Sequence, residues 1–521
     1  MIITGVALTV LLVLVVGIAV ARKVDGDSAN YLVAGRQLGI PLVAVALTTA
    51  AVDSNATVGN TDMSSGYGFW AGASLALGLA ICLLLAGLFL AKPMNRMGLL
   101  TLGDFFARRY NRPVELVASL LMVFAFTILL AGNLVAMGFL VEYFTGMPYI
   151  VGVVLAVCLV LAYTIGGGLF SDAYTAVIQA VITGVATVAL FVWVASTWGI
   201  TIPEGMGPFD LGQLTDPAQG AAINWATLVS LGIGDLVAID FMQRIFGAKT
   251  PEGAQKACFI GAGATAVVGV LWSLIALTTV AELGLSAADA PIIYQLLDDF
   301  APALLAILVL SGIVAASFST ASGAILATSA VAVRNIAGVR REVAPGHHDP
   351  LLRWTRIAML PVVLVGIFLA VRVSQTGILL TLAFDLMLAC LIAPFLLGLF
   401  WRRSTSTAAL VGAGVGFVVR VTFLALTPTL YGVPNTLLYV DNDLVTADFD
   451  GWATLVAAAA GVTAFVVTAL LTRPRAEEEI DLRHVDRTAT DAPVPVTAAP
   501  APAGTSAEVP VALRSAEPLE A

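Results

Sequence analysis

Thr48–Gly66 reads TTAAVDSNATVGNTDMSSG, and it stands where an apolar helix is already under way. Upstream, LGIPLVAVAL (38–47) begins a membrane-like span; then Asp53, Ser54, Asn55, Thr57, Asn60 and Asp62 follow in quick succession. An ionised carboxylate costs several kcal/mol in hydrocarbon, and an unpaired backbone polar group costs a comparable amount. Such a stretch is tolerable at membrane depth only where broken backbone lines a cavity between helices.

The remainder of the chain supplies the membrane context. Hydrophobic residues make up 59% and charged residues 11% of 521 residues, and the mean hydropathy is +0.97. Soluble domains average roughly 25% charged, so no water-facing surface can be built from this composition. The net charge is −9, and no basic patch with interleaved aromatics argues for a nucleic-acid partner. Cys82, Cys158, Cys258 and Cys390 lie in or beside apolar runs without CxxC spacing, which favours free core thiols over disulfides or a metal site. His347, His348 and His484 fall in polar connections, leaving no histidine for acid–base work within a span. The first 21 residues lack a basic n-region, and their apolar run is too long for a signal peptide. They are expected to be a retained first helix.

Windows of about 20 apolar residues, the length that crosses hydrocarbon, recur about thirteen times in the sequence. They fall roughly at 2–21, 40–61, 69–91, 114–141, 149–164, 175–198, 223–243, 257–281, 301–333, 354–374, 377–400, 405–426 and 452–472. The expectation is an all-α membrane protein. The second and seventh windows are interrupted; the seventh, ATLVSLGIGDLVAIDFMQRIF, contains Gly232, Gly234, Asp235 and Asp240. With the N-terminus outside, one set of connections holds most of the Lys and Arg, from Arg22 and Lys23 through Arg108, Arg109 and Arg112 to Arg402 and Arg403. The opposite set carries Glu204, Asp210, Asp216, Asp289, Asp298, Asp299, Asp441 and Asp443, with only Arg372 and Arg420 breaking the partition. The positive-inside rule then places the C-terminus in the cytoplasm. From about 473 the chain turns rich in Pro, Ala, Ser and Thr without aromatics, the signature of a disordered tail.

Paired discontinuous helices place unwound carbonyls at the bilayer midplane, where they bind cations. The ninth window adds hydroxyls in AASFSTASGAILATS: Ser317, Ser319, Thr320 and Ser322, with Thr328 and Ser329 further on. Ser and Thr among Gly and Ala also serve close helix packing, so the residues alone leave both readings open.

Longer motifs narrow the choice. YLVAGRQLG, LTLGDFFARRY, YTIGGGLFSDAYTAVIQ, FMQRIFGAKTPEGAQKA and AASFSTASGAILATSAV occur in that order between Tyr31 and Val331. On these motifs the chain resembles the sodium:solute symporter family. That resemblance implies a LeuT-like 5+5 inverted repeat, here a ten-helix transport core over 40–400. One extra helix (1–21) would precede it and two (401–472) would follow, with 473–521 as a cytoplasmic tail. It further implies co-transported sodium held by the carbonyls of Ala51, Ser54 and Ala316 and the hydroxyls of Ser319 and Thr320. Where many relatives carry Trp-Thr-Asp at the start of the sixth span, this chain has Tyr174, Thr175 and Ala176. The missing carboxylate points to one sodium per solute, with Asp172 out of register and toward the water-screened end.

The intramembrane polar residues Asp53, Asn55, Asn133, Asp235 and Asp385 are candidates for the solute site. Asp240 and Arg244, spaced i, i+4, suit an ion pair at the cytoplasmic rim; Arg420 suits snorkelling outward. Gly166–Gly168 lack the Lys-Ser/Thr of a phosphate loop and suit a tight turn. The leading expectation is sodium-coupled uptake of a small organic solute, with an amino acid or small carboxylate favoured, by a monomer in the plasma membrane. A solute sensor on the same scaffold is the alternative, and an enzyme lacks a nucleophile, histidine or metal cluster within a span.

Overall fold

The computed structural model describes residues 2–288, 290–341, 349–373 and 377–474. The polar tail beyond residue 474, Asp289 and all three histidines lie outside the described residues. In chain order the principal helices are α1 (Ile2–Val20), α2 (Ile40–Ala51), α3 (Asn60–Tyr67), α4 (Phe69–Leu85), α5 (Arg112–Thr145), α6 (Tyr149–Thr197) and α7 (Ala221–Gly232). They continue as α8 (Ile239–Gly247), α9 (Pro251–Leu283), α10 (Ala303–Val331), α11 (Pro350–Arg372), α12 (Ile378–Cys390), α13 (Ser406–Leu426) and α14 (Trp452–Leu471). Among the described residues nine helices are long and apolar enough to cross a membrane, and up to twelve if each of three bent pairs is one span.

Both interrupted windows are bent: by 55° between Ile40–Ala51 and Asn55–Tyr67, and by 48° between Ala221–Val237 and Ile239–Gly247. A third bend of 49°, between Ile378–Cys390 and Ala393–Phe400, was not expected. Its run LACLIAPFLL is uniformly apolar, and only Pro394, which lacks a backbone donor, marks the break. At the second break Gly234 permits close approach: a Cβ there would lie 2.4 Å from the Phe384 carbonyl oxygen.

α6 spans 49 residues. At 1.5 Å per residue a straight helix of that length far exceeds the ~30 Å hydrocarbon core. It turns at Gly168, whose φ of 52° and ψ of −136° leave the helical region. A Cβ at Gly168 would also sit 2.3 Å from the Tyr31 carbonyl oxygen, so glycine is required there on both counts. The tight turn expected at Gly166–Gly168 is confined to Gly168, with helix continuing on either side.

Two expectations are corrected by packing. Arg420 does not snorkel outward; it is 3% exposed and pairs with Asp385. The reason is visible one turn earlier. Gly416 presses α13 so closely on α12 that a Cβ would lie 2.0 Å from the Ala389 carbonyl oxygen, and position 420 shares that face. The all-α expectation also omits a small antiparallel pair, Thr429–Leu430 with Val433–Pro434. Its turn places Tyr431 (φ 51°) and Gly432 (φ 83°) in the left-handed region, and the Asp450 carboxylate accepts from both of their N–H groups at 3.0 and 2.9 Å. Of the cysteines, Cys82, Cys258 and Cys390 are buried free thiols, whereas Cys158, expected in the core, is an exposed free thiol.

A polar clasp joins the ends of neighbouring helices away from the breaks. Asp104 accepts from Arg334 at 2.8 Å, Asn335 donates to Asp104 at 3.2 Å and to Glu115 at 2.8 Å, and Arg112 pairs with Glu115 at 2.8 Å. Burial raises the Asp104 pKa, but Arg334 and the hydrogen bonds to the carboxylate outweigh it and hold Asp104 below the usual carboxylate value.

Candidate functional site

The first break is organised by its own polar residues. The first half-helix ends when the Val52 N–H donates to the Thr48 carbonyl at 2.8 Å, so the carbonyls of Thr49, Ala50 and Ala51 have no partner further along α2. The Asp53 carboxylate then caps the restart, accepting the N–H groups of Asn55 and Ala56 at 2.9 and 3.0 Å. It also accepts from the side-chain amides of Asn55 at 2.7 Å and Asn133 at 2.8 Å. These four donors at a helix N-terminus stabilise a buried anion without a countercharge. Asn133, on α5, accepts the Ser54 hydroxyl at 3.1 Å, while Asn55 Oδ1 accepts the Gly377 N–H at 3.0 Å.

Asp53, Ser54, Asn55 and Asn133 thus form one cluster that pins the break to α5 and to the start of α12. Asp53→Ala removes the cap and strands the Asn133 amide. It is expected to cost on the order of 1–3 kcal/mol, read as a lower thermal midpoint in detergent, with Asp53→Asn less damaged. An unchanged midpoint for Asp53→Ala would mean the cap contributes nothing.

α10 meets the other side of the break. The Ser319 hydroxyl donates to Thr49 Oγ1 at 2.9 Å, and the Thr320 hydroxyl reaches the carbonyls of Ala50 at 3.1 Å and Thr49 at 3.4 Å. Ser317 instead folds back on its own helix, donating to the Ile313 carbonyl at 2.9 Å. Ala316 is fully buried, one turn before Thr320. The carbonyls these hydroxyls touch belong to Thr49 and Ala50, just ahead of Ala51, and Ser54 turns its hydroxyl to Asn133. Thr49 was overlooked in the sequence; its signal was a hydroxyl in the last turn before the break.

The second break carries more charge. Arg244 on α8 pairs with Asp240 at 3.1 Å and with Asp172 at 3.0 Å, all three side chains being essentially inaccessible. Gly323 on α10 makes room, since a Cβ there would meet the guanidinium at 2.6 Å. Ser322 donates to Asp172 at 2.6 Å. Asp172 is therefore not water-screened, as its sequence position suggested. The turn at Gly168 brings the second limb of α6 beneath α10, and Asp172 is 1% exposed. The Asp240–Arg244 pair is present, but deep in the protein rather than at a rim.

Asp235, between the two halves of the second break, is 1% exposed, and among the described residues neither carboxylate oxygen has a hydrogen-bond partner. With Ala50, Asp53, Asp240, Phe241 and Phe384 it lines a small cavity of about 10 Å³, roughly one water in size. The two broken helices therefore meet at a confined, acidic, partly aromatic space. Asp385 is not part of it. It faces Arg420 in a separate buried group with Tyr431 and Thr454, whose hydroxyls lie 3.0 Å apart. Burial, then the Asp385 charge, pushes the Tyr431 phenol well above its usual pKa, so it stays protonated.

Two bent helices with confronted breaks, one offering carbonyls to the hydroxyls of α10 and the other carboxylates to a small cavity, form the geometry of a carrier. The model of the sodium:solute symporter family matches residues 31–416. A high-affinity choline transporter of Caenorhabditis elegans is 25% identical over 79% of this chain and 75% of its own length. A sodium/glucose cotransporter of Vibrio parahaemolyticus is 25% identical over 83% and 87%. Among solved structures, a Na+-coupled sialic acid symporter matches with TM-score 0.72 at 16% identity, covering 91% of this chain and 98% of its own. A nucleobase-cation-symport-1 family transporter gives 0.53 at 15%, covering 87% and 97%; at these identities the likeness is of fold. The relatives are transporters rather than enzymes, and the chain belongs to the sodium:solute symporter family, a multi-pass membrane carrier that couples a solute to sodium.

Proposed function

We propose that this carrier takes a small organic solute inward with one sodium ion by alternating access, as a monomer in the plasma membrane with its N-terminus outside and its C-terminus in the cytoplasm. The proposed frame is a LeuT-like 5+5 inverted repeat over 40–400, with one helix before it, two in 401–472 and a cytoplasmic tail from 473. Three bent pairs and the long α6, divided at Gly168, would bring the spans to about thirteen at ~20 residues per crossing.

The proposed sodium ligands are the carbonyls of Ala51, Ser54 and Ala316 and the hydroxyls of Ser319 and Thr320, with Thr49 and Ala50 alongside. The observation that carries this is the direct contact of Ser319 and Thr320 with the last turn of α2. Sodium prefers such hard oxygens, and a hydroxyl that donates to a carbonyl can rotate its proton away and turn a lone pair to the ion. The ion would thereby tie the broken helix to α10 and set the state in which solute is accepted. Asp53, Asn55, Asn133 and Asp235 are proposed around the solute. Asp385, across the fold with Arg420, is proposed to hold α12 to α13 instead.

A single sodium is supported by Ala176, which stands where many relatives carry the carboxylate of Trp-Thr-Asp. Ala176 is fully buried with only a methyl to offer, and Asp172 is already committed to Arg244 and Ser322. Sealed proteoliposomes of the full chain should show solute uptake driven by a sodium gradient and not by potassium with an imposed proton gradient. The sodium-to-solute flux ratio should be near one. A ratio near two would return Asp172 and Thr175 to the ligand set, and gradient-independent uptake would overturn the coupling.

A further inference from the structure

We propose that the transported solute is an organic cation whose charged head is neutralised by Asp235, an inference that rests on the symport reading above and specifies its substrate class. Four buried carboxylates gather around the two breaks: Asp53, Asp172, Asp235 and Asp240. Among the described residues the only cation paired with any of them is Arg244, bound to Asp172 and Asp240. Asp53 has four neutral donors of its own. Asp235 has no such provision. Among the described residues both of its oxygens are buried without a conventional hydrogen-bond partner, the one polar group beside it is the weakly donating thiol of Cys82, and the nearby charges of Asp240 and Asp53 are of its own sign. A carboxylate so placed has its missing partner either in a proton or in something that arrives from outside.

The surroundings favour the second, and an organic rather than a metal cation. A bare hard cation needs a cage of six or so oxygens, and the described carboxylates do not converge into a group that could hold a metal ion. The wall instead combines Asp235 and Asp240 with Leu79, Leu380, Phe241 and Phe384. Apolar and aromatic surface beside one uncompensated carboxylate is the complement of an alkylated ammonium, whose charge favours aromatic faces as well as the anion. An anionic solute would add like charge beside Asp53, Asp235 and Asp240. Against four carboxylates, Arg244 and one sodium at the first break supply two positive charges, which leaves two negative charges uncompensated, so a cationic head can enter without overcompensating the site. The cavity admits about one water as it stands. The head is therefore taken up when the bent helices part.

The test is a charge series on the full chain in proteoliposomes under an inward sodium gradient: choline, ethanolamine and guanidine as cations; 3,3-dimethylbutanol and glucose as neutral probes; 3,3-dimethylbutyrate and pyruvate as anions. Sodium-driven accumulation should be confined to cationic probes. Asp235→Asn should raise the half-saturating concentration of the accumulated probe at least tenfold, and Asp235→Glu should recover much of the loss. The thermal midpoint of Asp235→Asn should be no lower than wild type, because the substitution removes an unpaired buried charge, and this separates a lost site from a lost fold. Accumulation confined to neutral or anionic probes would overturn the proposal, as would wild-type affinity for a cation in Asp235→Asn. A cationic probe accumulated without regard to sodium would overturn the symport reading while leaving the charge class in place. Absence of sodium-driven uptake for every probe would overturn both.

Discussion

Arg420→Met is expected to lower the stability of the folded carrier by on the order of 3–5 kcal/mol, because it leaves the Asp385 carboxylate buried without its partner. Asp385 is fully buried and Arg420 nearly so, and the guanidinium also lies near the raised Tyr431 phenol. Breaking one side of such a pair is far costlier than replacing both. The double substitution Asp385→Leu with Arg420→Met, which restores an apolar contact between α12 and α13, should recover most of the loss. Thermal denaturation of the detergent-solubilised single and double variants measures this cycle. A single variant that melts with the wild type would mean that Asp385 is neutral in the folded state and that the pair holds nothing together. Because Asp385 lies outside the acidic cavity, the double variant should retain its preference among solutes even if its turnover slows.

Ser319→Ala and Thr320→Ala should each raise the sodium concentration for half-maximal uptake roughly tenfold or more. Losing one neutral ligand of a buried cation resembles leaving a buried hydrogen bond unmade, about 1–3 kcal/mol, and about 1.4 kcal/mol corresponds to a factor of ten. The two differ in what else they release. Ser319 bonds the Thr49 side chain, whereas Thr320 bonds backbone carbonyls of the last turn of α2. Thr320→Ser retains the hydroxyl and should stay near the wild-type sodium curve. Sodium titrations of solute uptake at matched membrane abundance decide the matter. Wild-type curves in both alanine variants would reduce these hydroxyls to packing contacts between α2 and α10.

Much of this protein is legible along the chain because hydrocarbon imposes a one-dimensional rule: apolar residues must recur over about 20 positions, and polar ones inside a span need a reason. That rule locates the helices, and it marks the breaks at Asp53 and Asp235 because carboxylates interrupt otherwise apolar windows. The hydroxyl pair Ser319–Thr320 stands out for the same cause. The third break is hidden, since LACLIAPFLL changes conformation without changing polarity. Partnership is hidden more deeply. Asp172 and Arg244 are 72 residues apart, and Asp385 and Arg420 are 35 apart. Their meeting depends on the turn at Gly168, which the triple glycine marks without saying what it brings together, and on glycine faces such as Gly416 that let helices approach closely. Asp53, Asp235 and Asp385 look alike as isolated intramembrane carboxylates. The first caps a helix within its own stretch and gains only Asn133 from elsewhere; tertiary packing made the third an ion pair and left the second without a partner among the described residues, because the cost of a buried charge is set by the groups that surround it in space.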